Sequence, residues 1–186
     1  MVLIGIIGNI GSGKTTASNY LISKNFTEYS ISSPLKKIAE IFNFSKDQLY
    51  GTQQQKLEIN KYWGISGREF LQKFGTDVCR NSLPSHIPQM KNIWIQLLEN
   101  YLQLKNIGDC VIPDIRFENE ALVILKYGGI LIRIDRNTNK KGKEHSHESE
   151  KEITQIKHSY RIDNNGSLEE LYLKLDQLKN KYLIYI

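Results

Sequence analysis

The segment Gly8-Asn9-Ile10-Gly11-Ser12-Gly13-Lys14-Thr15 constrains this chain more than any other, because it fits G-x-x-x-x-G-K-[ST] without a mismatch. An apolar run, Val2 to Ile7, precedes it and reads as a strand buried on both faces of a sheet. Helical character follows from Thr15 to Ser23. A strand, a glycine-rich turn and a helix in that order make a concave nest of backbone N–H groups. Gly8, Gly11 and Gly13 have no Cβ to block a phosphate. The helix that begins near Lys14 aims its positive end at the same place. In such a loop Lys14 reaches the β- and γ-phosphates and the Thr15 hydroxyl ligates Mg²⁺. Ser12 and Thr16 complete the candidate nucleotide-binding set. The expected ligands are ATP and Mg²⁺.

The rest of the chain narrows the class. Its 186 residues suit one domain, with 40% hydrophobic and 24% charged residues. A switch GTPase would carry an N/T-K-x-D base-reading stretch after a later strand, and none is present. Motor and helicase ATPases are usually longer, so a small-molecule kinase fits best. No run approaches the roughly 18 apolar residues of a membrane span. The N-terminal run lacks a basic leader and a cleavage site, so no signal peptide is expected. Cys79 and Cys110 are far apart and read as buried free thiols in a reducing compartment. The expected location is the cytoplasm. The net charge of +5 suits an anionic partner. Its basic residues are not interleaved with aromatics, so no stable nucleic-acid partner is expected.

Further along, weak strand character at Thr27–Ser30 leads to Ser32-Ser33-Pro34, a helix start. Residues 45–65 are polar and give no clear pattern. Ser66 and Glu69 have the spacing of a capping box, and Phe70, Leu71, Phe74 and Val78 form the expected buried face. Ile93 to Leu102 reads as a helix, Cys110–Ile112 as a strand, Glu118–Lys126 as a helix and Gly129–Ile134 as a strand. Ser159–Ile162 reads as a last strand, and Ser167 caps a final helix with Leu168, Leu171, Leu175 and Leu178 as its stripe. Strands alternating with helices predict an α/β fold: a mostly parallel sheet flanked by helices, with a helical acceptor-binding region at about 34–104 and a lid loop at about 136–150.

A kinase must also hold its acceptor. A phosphate monoester is mostly dianionic at pH 7, so it needs no general base. It needs charge screening and alignment, for which the planar Arg fork is suited. Only six of the 25 basic residues are Arg. Arg116 stands in Val111-Ile112-Pro113-Asp114-Ile115-Arg116, just past a strand end, where open α/β sheets bind ligands. Asp114 either serves that cleft or caps the next helix, and Glu120 either faces the same cleft or is solvated. Arg68 either meets a ligand or forms a surface ion pair with Glu69. Gly75 interrupts a helix, which implies a close approach. Trp94 sits in an apolar stripe, as core or as a stacking surface.

Three segments carry a resemblance: Gly67-Arg68-Glu69-Phe70-Leu71-Gln72-Lys73-Phe74-Gly75-Thr76-Asp77, Val111-Ile112-Pro113-Asp114-Ile115-Arg116, and Asp163-Asn164-Asn165-Gly166-Ser167-Leu168-Glu169-Glu170-Leu171. In that order, behind the glycine loop, they resemble the viral, phage-type deoxynucleoside monophosphate kinases. The resemblance implies a P-loop nucleoside monophosphate kinase-like fold and γ-phosphoryl transfer from ATP to a deoxynucleoside monophosphate. It implies that Arg68 and Arg116 bracket the acceptor phosphate and the transferring group. Asp114, Glu120 and Lys36 would hold the acceptor, and Gly75, Asp77 and Trp94 would line its site. It also makes a homodimer plausible; the aromatic tail Tyr182–Ile186 either packs on a partner or adds an edge strand to its own sheet. A viral protein of this kind would work in the host cytoplasm. Arg136, Lys140, Lys141 and Lys143 crowd the expected lid, where Arg136 would meet ATP. His145 and His147 read first as loop residues. The alternatives are another small P-loop metabolite kinase or a nucleic-acid-linked ATPase.

Overall fold

The structure is a computed structural model that describes residues 1–104, 107–137, 153 and 155–183. In chain order the elements are β1 (Leu3–Ile7), α1 (Lys14–Ser23), β2 (Thr27–Glu28), α2 (Ser33–Ile41), α3 (Lys46–Tyr50), α4 (Gly67–Gln72), α5 (Leu83–His86), α6 (Ile93–Leu102), β3 (Cys110–Ile112), α7 (Glu118–Lys126), β4 (Ile130–Asp135), β5 (Tyr160–Asp163) and α8 (Leu168–Leu183). A π-helix, Lys73–Ser82, continues α4. The chain divides into two compact units, residues 1–30 with 98–186, and residues 31–97.

The first unit holds the sheet. Its strand order is β2-β3-β1-β4-β5, and every pairing is parallel. All five residues of β1 are buried, which is why its sequence is an unbroken apolar run. Ile4 lies opposite Val111 on one side and Ile130 on the other. One core packs Ile4, Ile6, Ile132 and Ile134 against Ala17 and Leu21 of α1 and Leu171 and Leu175 of α8. Each such side chain contributes about 1.5–3 kcal/mol when fully buried. Of the expected stripe on α8, Leu168 is exposed instead. It is the first residue of the helix, just after the cap, where the Ser167 hydroxyl accepts the Glu170 N–H at 3.3 Å. Chain order reverses around β1, which has β3 on one side and β4 on the other. In open α/β sheets, ligands bind outside the strand ends at this switch point.

The second unit is helical. Ala39, Phe44 and Leu49 form its core, with Ile65, Phe70 and Leu71 against it. The polar stretch 45–65 owes its fold to side-chain hydrogen bonds. The Ser45 hydroxyl accepts the Gln48 N–H at 3.2 Å, and Gln48 Oε1 accepts the Ser45 N–H at 3.1 Å. Ser66 caps α4 as expected, accepting the Glu69 N–H at 3.1 Å. The Glu69 carboxylate pairs with Lys73 at 2.8 Å, in place of the return half of a capping box. Val78 is exposed rather than buried. The cause is the π-helix, whose i→i+5 bonds widen each turn and carry Val78 off the face that an α-helix would give it. Gly75, Thr76 and Cys79 take the interior positions. Phe70 and Phe74 stack with centroids 5.2 Å apart.

Candidate active site

The loop after β1 has the conformation that its glycines permit. Gly11 and Gly13 have φ of 80° and 104°, in the left-handed region that side-chain-bearing residues avoid. A Cβ on Gly8 would lie 2.6 Å from Ser12 Oγ, and one on Gly13 would collide with the Asn164 amide. The Lys14 ammonium folds over the loop and donates to the Gly8 carbonyl at 2.6 Å and the Asn9 carbonyl at 2.8 Å. Thr15 is exposed in the first turn of α1, and Thr16 is half-buried.

The loop fits a triphosphate chain on three counts. No side chain caps the N-terminus of α1, and no acidic residue lies in its first turn, so its end attracts an anion. Gly8 and Gly13 permit a tight curl that a Cβ would break, against Ser12 Oγ and the Asn164 amide. The Ser12 hydroxyl, on a residue 2% exposed, has no hydrogen-bond partner among the described residues.

β3 ends beside β1 and delivers a second set of groups. The Asp114 carboxylate accepts from the Ser30 hydroxyl at 2.7 Å, and this is not the helix-cap role weighed for it. That role falls to Glu120. Its Oε2 accepts the backbone N–H groups of Arg116 at 2.8 Å and Phe117 at 3.1 Å. Glu120 is 3% exposed, so the solvated alternative is overturned. Its carboxylate fixes the turn that carries Arg116, whose side chain is half-buried.

The second unit carries the other candidates. Arg68 donates to Gln53 Oε1, while the Glu69 carboxylate pairs with Lys73. Gln53 lies in the polar stretch that sequence patterning left unread. The Lys36 ammonium sits 4.9 Å from the Tyr50 ring centroid. Asp77 is exposed on the π-helix. Two residues named for the acceptor site are interior instead. Trp94 is 6% exposed and donates from Nε1 to the Gly75 carbonyl at 3.0 Å. A Cβ on Gly75 would come within 2.5 Å of Leu35 Cδ2, so the close approach is to a side chain of α2.

Arg136 is exposed just after β4. Lys140, Lys141, Lys143, His145 and His147 lie outside the described residues, as do the side chains of the tail. Sequence reading missed Asn164. It follows β5, is 7% exposed and donates from Nδ2 to the Ser12 carbonyl at 2.8 Å. Its place in an Asp-Asn-Asn-Gly turn is visible in sequence, but a contact spanning 152 positions has no local signal.

A parallel sheet with order β2-β3-β1-β4-β5 and a glycine-lysine loop at the end of its central strand define a P-loop nucleotide-binding fold. The fold is similar to that of shikimate kinase from Aquifex aeolicus, at a TM-score of 0.52 and 17% identity over 98% of this chain and 99% of that one. A family model described as "Deoxynucleotide monophosphate kinase" matches residues 39–175. A protein of Acanthamoeba polyphaga mimivirus named "Putative deoxynucleotide monophosphate kinase" is 44% identical over 185 residues, covering 94% of each chain. The chain belongs to the deoxynucleotide monophosphate kinase family and is a phosphotransferase.

Proposed function

We propose that this enzyme transfers the γ-phosphoryl group of ATP, with Mg²⁺, to a deoxynucleoside monophosphate and so makes the diphosphate. The observation that carries the reading is the pairing of two strand ends: the glycine-lysine loop after β1 and the Asp114–Arg116 turn after the adjacent β3. Such neighbours suit one group that binds a donor and another that screens an acceptor. The name of the viral relative supports the acceptor class.

The roles follow from charge and reach. The N–H groups from Gly8 to Thr15 cradle the donor phosphates, with Ser12 and Thr16 among the lining. Lys14 exchanges its two carbonyl partners for phosphate oxygens. Thr15 would offer its hydroxyl to Mg²⁺, which when bound would supply neutralisation of the charge that develops on transfer. Arg116 screens the incoming oxygen and the transferring group, held in place through its backbone by Glu120. Asp114, oriented by Ser30, helps hold the acceptor. Arg68, Lys36 and Asp77 of the second unit are proposed as acceptor contacts, and Arg136 as a donor contact. The acceptor phosphate is itself the nucleophile, so no general base is assigned. The two free thiols, both buried, suit a reducing compartment such as the cytoplasm.

A coupled ADP-release assay tests this reading, with ATP, Mg²⁺ and each ribo- and deoxynucleoside monophosphate in turn. Turnover with at least one deoxynucleotide is expected. No turnover with any of them rejects the proposal. Sedimentation of the same preparation reads whether the enzyme is the homodimer that we propose.

A further inference from the structure

We propose that Asn164 is a positioning residue of the phosphate loop, and that it sets the direction in which the Gly13 N–H points. The inference rests on the nucleotide-binding part of the reading above and is independent of the acceptor.

The Ser12 carbonyl and the Gly13 N–H belong to one peptide unit. That unit is planar and trans, so the two groups point in opposite directions. Whatever holds the carbonyl therefore aims the N–H. Asn164 Nδ2 holds it at 2.8 Å in a buried contact. Asn164 is itself anchored, because its backbone N–H donates to the Asp135 carbonyl at 2.8 Å and its side chain is 7% exposed. The clamp thus ties the apex of the loop after β1 to the ends of β4 and β5.

The loop needs such a clamp. Ser12 lies between Gly11 and Gly13, both at positive φ. Glycine crosses between positive and negative φ at little steric cost, so this peptide unit can turn over. Turned over, it would present a carbonyl oxygen to the phosphates where an N–H is required. Among the described residues the Ser12 hydroxyl makes no hydrogen bond and no side chain caps α1, and the Lys14 ammonium holds the carbonyls of Gly8 and Asn9 rather than that of Ser12. The Asn164 amide supplies a donor from outside the loop. The site also explains the residue at position 13, because a Cβ there would collide with that amide.

The test is equilibrium binding of MgATP and of inorganic tripolyphosphate to the purified enzyme, without acceptor. Asn164→Ala and Asn164→Asp are compared with the parent, with thermal melts beside them. Asn164→Asp keeps the shape but turns an acceptor towards the Ser12 carbonyl. Both variants are expected to weaken both ligands by about tenfold or more, the loss of one well-placed hydrogen bond. In turnover, the KM for ATP should rise while the KM for the acceptor stays. A merely structural role would lower the folded fraction and leave both KM values unchanged. Binding of both probes within twofold of the parent by a folded variant overturns the proposal. Should both variants fail to fold, the Asn164 side-chain amide resonances of the parent decide. In enzyme shown by titration to bind MgATP they should exchange slowly with solvent, as a buried donor to the Ser12 carbonyl does, and fast exchange overturns the proposal.

Discussion

Glu120 Oε2 accepts the Arg116 N–H at 2.8 Å, one turn from the start of α7. The carboxylate that patterning offered to a substrate is bound instead to the backbone of the arginine proposed to meet that substrate. Glu120→Ala should leave two backbone donors without their acceptor, at about 1–3 kcal/mol each. Turnover should fall at least tenfold, with a lowered melting temperature. Glu120→Gln keeps an acceptor oxygen and should recover most of both. Equal loss in the two variants would point to the charge itself.

Arg116→Ala should reduce kcat by about 10³–10⁵, the range for an arginine that stabilises phosphoryl transfer. Its melting curve should match the parent's, because the backbone N–H that Glu120 holds is kept. Arg116→Lys should recover little, since an ammonium cannot form the two-pronged contact. Near-normal turnover of Arg116→Ala would remove it from the site.

Gly13→Ala should abolish detectable ATP binding. The new Cβ meets the Asn164 amide, and the φ of 104° is strained for alanine. Such strain costs about 1–3 kcal/mol. Lys14→Ala should weaken ATP without that loss of stability. Titration with ATP alongside thermal melts separates the two.

Trp94→Phe tests the interior assignment. It removes the donor to the Gly75 carbonyl, a cost of about 1 kcal/mol. The KM for the acceptor should not change. A raised KM with unchanged stability would restore the stacking role.

Cys110 gives an alkaline signature. It is fully buried, and that burial pushes its thiol up to about 11, with Tyr101 beside it. A thiol held neutral in the fold stabilises it fully below the unfolded value near 9. That contribution disappears as pH rises towards 11, and it amounts to about 3 kcal/mol. Melting temperature should fall over that interval, and less so in Cys110→Ala. In native protein at pH 8, Cys110 should resist thiol reagents until the chain unfolds.

Much of this was legible in the residues, for reasons that are local. The β1 run, the loop glycines and Lys14 are consecutive, so one short window holds the phosphate loop and the strand before it. Ser66 and Ser167 cap helices three residues ahead, well within the reach of a sequence pattern. Val78 was misread because hydrophobic spacing assumes 3.6 residues per turn. Nothing in Lys73–Ser82 announces the wider turn that a π-helix adopts. The polar stretch 45–65 resisted for another reason. Its order comes from Ser45, Gln48 and Asn60, whose side chains bond backbone groups and leave no apolar period to read.

Arg116 shows where the division lies. Its position past a strand end, and hence its candidacy, could be read from a run of six residues. That its backbone is bound by Glu120 depends on a helix start folding back. That the phosphate loop is held by Asn164 depends on β5 lying in the same sheet as β1, with β4 between them. The phosphate loop, the strand–helix alternation and the caps follow from the chain's own near neighbours. The orientation of a peptide unit and the burial of Trp94 arise from partners brought together across the fold, and these are energies that no short window of residues contains.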